Sequence, residues 1–338
     1  MKIKIHPPQA IHEMGKRSNQ EDCILPLIGE ATADDRLFVL CDGMGGHERG
    51  EVASAAICEG ISAYFNERIS SDEVLTDEQL QAALESAYEV LDTKDNGAFR
   101  KAGTTMTLLY FHRGGCTAAH IGDSRIYHVR PSSHTILYMS RDHSLVFELY
   151  QMGEISYSEM KTHPRKNQVS RAMIPGKDNR QEADIVHITD IRPDDYFFIC
   201  SDGVLEHLED EDLVELLASD DSDEQKCRKL VEMTANNDDN HSAYMIHVED
   251  VAAEDVDADL LNDEQTVRFN AINIHPVLNV QPDNSIEIVN PSPNKPLSKP
   301  KRAKVLRGKC DNYCWLAILS LVLLFVIVLM GYIIYKIR

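Results

Sequence analysis

The stretch Phe38-Val39-Leu40-Cys41-Asp42-Gly43-Met44-Gly45-Gly46-His47-Glu48-Arg49-Gly50 constrains this chain more than any other. Four apolar residues lead into an acid, and glycines then crowd in. A short apolar run closed by glycine predicts a buried strand that stops at Asp42. An acid held at such a strand end directs its carboxylate into whatever cavity lies beyond. The glycine after it permits close backbone approach and leaves the Gly43 carbonyl as a further oxygen ligand. Oxygen-only ligation suits a hard cation, Mn²⁺ or Mg²⁺, rather than zinc. Taken alone, the stretch reads first as an ordinary strand and glycine-rich turn. Other acids at strand ends change that balance.

The chain has 338 residues, room for one large domain and additional segments. Its net charge of −21 conceals an asymmetry, because nine Lys/Arg and one acid follow from Lys295 onward. The rest is therefore strongly acidic, which excludes non-specific nucleic-acid binding. Clustered carboxylates in such a body are candidate divalent-metal sites, although most acids simply solvate a surface. The Met1-Lys-Ile-Lys-Ile start lacks an apolar core of signal-peptide length, so no export is expected from this end. Eight cysteines are scattered without a CxxC pair, and a reducing, cytosolic setting is expected.

Along the chain, residues 15–22 read as a polar turn, followed by the strand and glycine turn. Residues 51–69 and 77–100 carry apolar residues at helical spacing and predict an antiparallel helix pair. Strands are expected at 104–111 and 116–121, joined as a hairpin, and at 126–129 and 135–139. A short helix at 145–152 precedes a polar surface excursion, 153–177, with little apolar periodicity. Strands at 184–189 and 196–200, helices at 209–218 and 224–234, and a last strand at 243–248 complete the pattern. It predicts an α+β fold, two packed antiparallel β-sheets flanked by pairs of antiparallel helices, in a domain over 1–250.

Beyond it, 251–314 reads as a linker, acidic at first and then Pro-rich and basic. Residues 315–335 contain 21 positions without a charge, with Trp315, Tyr332 and Tyr335 near the ends. As a helix this stretch spans about 31 Å, enough to cross a bilayer core. Seven basic residues precede it and two follow. The charge bias predicts a C-terminal transmembrane anchor in the cell membrane with the body cytoplasmic.

Asp22, Asp42, Asp123, Asp202 and Asp239 fall at strand ends or in polar turns beside strands. Carboxylates repeated at one edge of a sandwich converge on a site too negative to exist without cations. Two metals sharing a bridging carboxylate and activating a hydroxide define a metal-assisted hydrolase, with no substrate specified.

The motifs GKRSNQED at 15–22, CDGMGGHERGEVAS at 41–54, GTT at 103–105 and IGDSR at 121–125 follow one another. RDHSLV at 141–146, HPRKNQVSRA at 163–172, CSDGVLEHL at 200–208 and DNHS at 239–242 continue the series. In this order, over residues 10 to 250, they resemble the metal-dependent protein Ser/Thr phosphatases of the protein phosphatase 2C family in its bacterial form. The resemblance implies that Asp42 bridges two metals (Mn²⁺ or Mg²⁺), Gly43 adds its carbonyl, and Asp202 and Asp239 complete one shell. It places Glu21 and Asp22 at or just outside the second metal and Asp123 at a third, weaker position. Arg17 would grip the phosphoryl oxygens, its planar fork matching a dianion, and residues 163–171 would form a flap beside the site. Phosphorylated proteins are then the substrates, and a Ser/Thr protein kinase the opposing enzyme. Two departures stand out. Met44 occupies the position where some relatives carry a proton-donating His, with His47 three residues on. Two acids also compete in the last motif, and Asp239 is preferred over Asp238 because Asn240 follows it. The competing readings are a phosphoprotein-binding pseudophosphatase, disfavoured because every acidic metal position keeps its carboxylate, and a membrane scaffold.

Overall fold

A computed structural model describes residues 1–45, 49–95 and 102–252, together with the short strands Asn279–Val280 and Ile286–Glu287. In chain order these form β1 (Lys2–Ile5), β2 (Gln9–Glu13), β3 (Asp22–Leu25), β4 (Leu37–Met44), α1 (Arg49–Arg68) and α2 (Asp77–Lys94). Then come β5 (Gly103–Thr104), β6 (Met106–His112), β7 (Gly115–Ile121), β8 (Arg125–Arg130), β9 (Thr135–Met139), α3 (Leu145–Gln151) and α4 (Tyr157–Thr162). The domain closes with β10 (Asp184–Ile188), β11 (Tyr196–Cys200), α5 (Asp210–Ala218), α6 (Asp223–Thr234) and β12 (His241–Ala252). The expected transmembrane stretch 315–335 and nearly all of the linker lie outside the described residues. Among the described residues no helix is long and apolar enough to cross a membrane.

Two antiparallel sheets face each other. One runs β1-β12-β11-β8-β9, with β2 also paired to β12 and the strand at 279–280 beyond β9; the other runs β10-β7-β6-β4-β3, with β5 on β4. The apolar runs without polar alternation are explained by burial on both faces. In β4, Phe38 and Leu40 point between the sheets, against Phe111, Phe197 and Tyr244, whereas Val39 and Cys41 lie under α1 and α2. In β11, Phe197 and Ile199 face the sandwich while Tyr196, Phe198 and Cys200 lie under α5 and α6. The Phe38 ring meets Phe111 and Tyr244 edge-on, at centroid distances of 6.2 and 5.2 Å. Fully burying one such ring contributes roughly 1.5–3 kcal/mol. Helices α1 and α2 approach so closely that a Cβ at Gly60 would lie 2.5 Å from the Ala87 Cα. Each sheet thus carries its own helix pair on its outer face.

Several elements differ from the sequence expectation. β4 does not stop at Asp42 but continues to Met44, because Gly43 and Met44 pair with Thr104 and Gly103 of β5. The N-terminal strands β1 and β2 and the strand β3, read as a polar turn or left unread, complete both sheets. The excursion at 153–177 contains α4, which starts at a capping box between Ser156 and Glu159. Its Met160 packs on Val146 and Phe147 of α3 in a small core of its own. The six cysteines among the described residues are free.

Candidate active site

The acids converge because one end of the sandwich collects them from both sheets. Asp22 and Asp42 are direct cross-strand partners at the β3–β4 edge. Asp202 follows β11 by two residues and Asp239 precedes β12 by two, and these neighbouring strands bring the two together. Asp123 sits in the turn between β7 and β8. Two serines sew the sheets together at this end: Ser201 and Ser242 donate to Asp22 Oδ2 at 2.9 and 2.7 Å. Asn240 does the same for the segment before β3, donating to the Met14 and Asn19 carbonyls and accepting the Glu21 N–H at 2.8 Å. Thr105 fixes Asp42 by accepting its backbone N–H at 2.9 Å and donating its own N–H to the Asp42 carbonyl at 2.8 Å.

Arg17, Glu21, Asp42, Gly43, Asp123, Asp202 and Asp239 line one cavity of about 640 Å³. Asp22 is not in that wall; it is buried behind it, beside Asp42. Asp238, the competing acid, instead points out and pairs with Lys16 at 2.6 Å, its side chain 77% exposed. Arg17 Nη2 donates to Asp239 Oδ2 at 2.5 Å, a bond that raises the guanidinium's pKa further. Met44 is also in the wall, and His47 lies outside the described residues. Gly43 admits no side chain, since a Cβ there would lie 2.2 Å from the Gly50 carbonyl oxygen.

The electrostatics of this wall are unfavourable for bare carboxylates. Burial, and then the charges of Asp22, Asp202 and Asp123, hold the Asp42 carboxyl well above its ordinary range. Burial pushes Asp22 up to about 7 against the pull of its two serine hydrogen bonds, with Asp202 and Asp239 adding repulsion. Asp202 rises to about 6 through burial and then Asp239. Asp123 is raised in the same way, by burial and Asp202. Asp22 Oδ1 is buried without any hydrogen-bond partner. An orphaned carboxylate oxygen, a glycine carbonyl held by close packing and an oxygen-only donor set fit hard divalent cations. The arrangement is that of a hydrolase that polarises an anionic substrate with metal ions.

A second cluster was not anticipated: His120, His143 and Asp184 each bring a potential ligand atom within 4.8 Å of the others. Its hydrogen bonds argue against a metal. His143 Nδ1 accepts the Gly122 N–H at 3.0 Å, so the ring proton is on Nε2, which faces Asp184 Oδ2 at 3.3 Å and has no lone pair to offer. Arg171 holds the other Asp184 oxygen at 3.0 Å, and His143 and Arg171 keep that carboxyl well below its usual range. The cluster fastens the turn before Asp123 to the segment that follows α4.

The family model described as Protein phosphatase 2C matches residues 12–226. The chain is 30% identical over 189 residues to the serine/threonine phosphatase stp of Listeria monocytogenes, covering 54% of this chain and 72% of that protein. Among solved structures, the PPM Ser-Thr phosphatase MsPP of Mycobacterium smegmatis is 28% identical with a TM-score of 0.60, over 72% of this chain and 98% of that one. The catalytic domain of the phosphatase PstP, in complex with two manganese ions, is 25% identical with a TM-score of 0.58, over 74% and 100%. Fold and site define a metal-dependent phosphatase. The chain belongs to the protein phosphatase 2C family, whose members use Mn²⁺ or Mg²⁺.

Proposed function

We propose that the chain removes phosphate from phosphoserine and phosphothreonine in proteins, opposing a Ser/Thr protein kinase. The supporting observation is the convergence of Asp42, Asp123, Asp202 and Asp239 in one cavity with the Gly43 carbonyl and Arg17. Asp42, Gly43, Asp202 and Asp239 would hold two cations, Mn²⁺ or Mg²⁺, with Glu21 beside them in the wall, Asp22 buried behind it and Asp123 at a third position. When bound, the cations supply Lewis acidity and a nucleophile at neutral pH. Arg17 orients the phosphoryl group through its planar fork. Thr105, Ser201, Ser242 and Asn240 hold the acids in place, and the packing behind Gly43 keeps its carbonyl fixed. Release of phosphate from a phosphothreonine peptide, measured with Mn²⁺ and again after chelation, tests the reading; full activity in the stripped protein would refute it.

We also propose that residues 315–335 anchor the enzyme in the cell membrane with its catalytic domain cytoplasmic. The uncharged span and its basic flanks support this. Deleting residues from Lys309 onward is expected to move the enzyme from the membrane to the soluble fraction without changing peptide turnover. Digestion of the catalytic domain by protease added outside intact spheroplasts would overturn it.

A further inference from the structure

A second cavity, of about 240 Å³, adjoins the catalytic one and shares Asp123, Asn167, Asp202 and Asp239 with it. The shared wall makes the two a continuous depression. A phosphoryl group seated over Asp202 and Asp239 would lie at the border of the side groove, within reach of it for a neighbouring residue of the same peptide. Val146 and Met160 from α3 and α4, and Leu205 and Leu208 from the turn after β11, give this groove an apolar lining. Glu206 and Glu209, both exposed, stand on the same lining.

The charges are unevenly satisfied. Asp142 is held at both oxygens by Arg125, each contact 2.7 Å, and Asp210 accepts from Tyr127 at 2.9 Å. Lys161 of α4 pairs with Glu209. Lys166 lines the groove as well, so two lysines stand on a lining that carries Asp123, Asp142, Asp202, Glu206, Glu209, Asp210 and Asp239, and the balance stays acidic. Glu206 accepts the Asp238 N–H at 2.7 Å, and no ion pair joins it to a cation among the described residues. Apolar side chains and an unpaired carboxylate on one lining match a side chain with an aliphatic stem and a cationic end.

We propose that this groove selects a lysine or arginine beside the phosphorylated residue, the stem lying on Leu205, Leu208 and Met160 and the head on Glu206. The proposal rests on the catalytic reading given above and adds to it a class of substrate: phosphoproteins whose site is flanked by a basic residue. An acidic neighbour would meet Glu206, Glu209 and the catalytic acids, and is disfavoured. The overall charge of −21 adds attraction for basic segments at longer range.

The test is a set of phosphothreonine peptides varied within two residues of the phosphate, with Ala, Leu, Arg, Lys or Glu, hydrolysed by the Mn²⁺-loaded full chain. At one or more positions Arg and Lys are expected to exceed Ala in kcat/KM by about three- to fivefold, the upper part of the range for an exposed ion pair, with Glu below Ala. The Arg-to-Ala ratio should fall toward one in Glu206→Gln, which still accepts the Asp238 N–H, and Glu206→Lys should favour the Glu peptides. A ratio near one in the parent, a ratio unchanged in both variants, or Leu preferred over Arg would overturn the proposal. Failure to hydrolyse any of the peptides, the Arg and Lys ones included, would instead refute the phosphatase reading, so the two failures are distinct.

Discussion

Stripping divalent cations should destabilise this domain, and more so as pH rises. The folded-state pKa of Asp22 is raised from 3.8 to about 7 by burial. A raised folded pKa means that the folded chain keeps a proton the unfolded chain has lost. The associated stability is fully present below pH 3.8 and is lost as pH rises through about 7. Between pH 5 and that point the loss, at about 1.36 kcal/mol per pH unit, is on the order of 3 kcal/mol for Asp22 alone. Asp202, raised to about 6, loses its share over the lower part of the same window. At about 2–4 °C per kcal/mol for a domain of this size, Asp22 accounts for roughly 6–12 °C in Tm. Cations on the carboxylates remove this repulsion, and protons compete with them for the same oxygens. Thermal unfolding followed by circular dichroism, with Mn²⁺ and with chelator, should therefore show a Tm gap that widens from pH 5 to pH 8. Asp22→Asn, whose amide oxygen can still accept from Ser201 and Ser242, should be more stable than the parent at pH 8 without metal. A gap that stays flat or narrows with rising pH, together with a destabilised Asp22→Asn, would refute the electrostatic account.

Asp42→Asn should lower phosphopeptide turnover by more than about 100-fold, the upper range for losing a residue that merely supports a ligand, while circular dichroism stays unchanged. Arg17→Ala should raise KM for phosphopeptides by roughly 10- to 100-fold, as expected for a hydrogen bond to a charged group of 1.5–3 kcal/mol; isothermal titration should show Mn²⁺ affinity nearly unchanged, and a large loss there would make Arg17 structural. Gly43→Ala forces a Cβ to within 2.2 Å of the Gly50 carbonyl oxygen, and should cost about 1–3 kcal/mol of stability by overpacking, read as a lowered Tm.

The strands most legible in the sequence were those buried on both faces. Phe38 to Cys41 and Tyr196 to Cys200 read as unbroken apolar runs because alternate residues meet the opposite sheet and a helix pair. β1 carried a signal of a different kind: Lys2 and Lys4 are exposed while Ile3 and Ile5 are buried, a strict alternation confined to four residues. β2 offered even less, since Ile11 is its one buried residue. Helix α4 is too short for periodicity to register, although the Ser156–Glu159 spacing at its start was present to be read. The acids themselves were legible because each sits beside a strand end or a glycine. What holds them was not: Ser201 and Ser242 reach Asp22 across 179 and 220 residues, and nothing local to a serine reveals such a partner. The side groove was likewise invisible, because its apolar lining combines α3, α4 and the turn after β11.

The covering of both outer sheet faces by helices has a chemical consequence. It keeps the strands desolvated almost to their ends, so the carboxylates that terminate them start from burial before any mutual repulsion is counted; burial is the largest cause raising Asp22, Asp42, Asp123 and Asp202 alike. A more open sandwich would leave these acids solvated, at ordinary pKa values and with weak demand for a cation. In this fold, the packing that stabilises the sheets and the demand for divalent metal have one origin. Arg17 bears on the same balance. Its guanidinium rests on Asp239, yet the side chain is 58% exposed, so water screens the pair and its net worth is small. A contact that weak is readily exchanged for a phosphoryl dianion, which offers the same fork more acceptor oxygens and more charge.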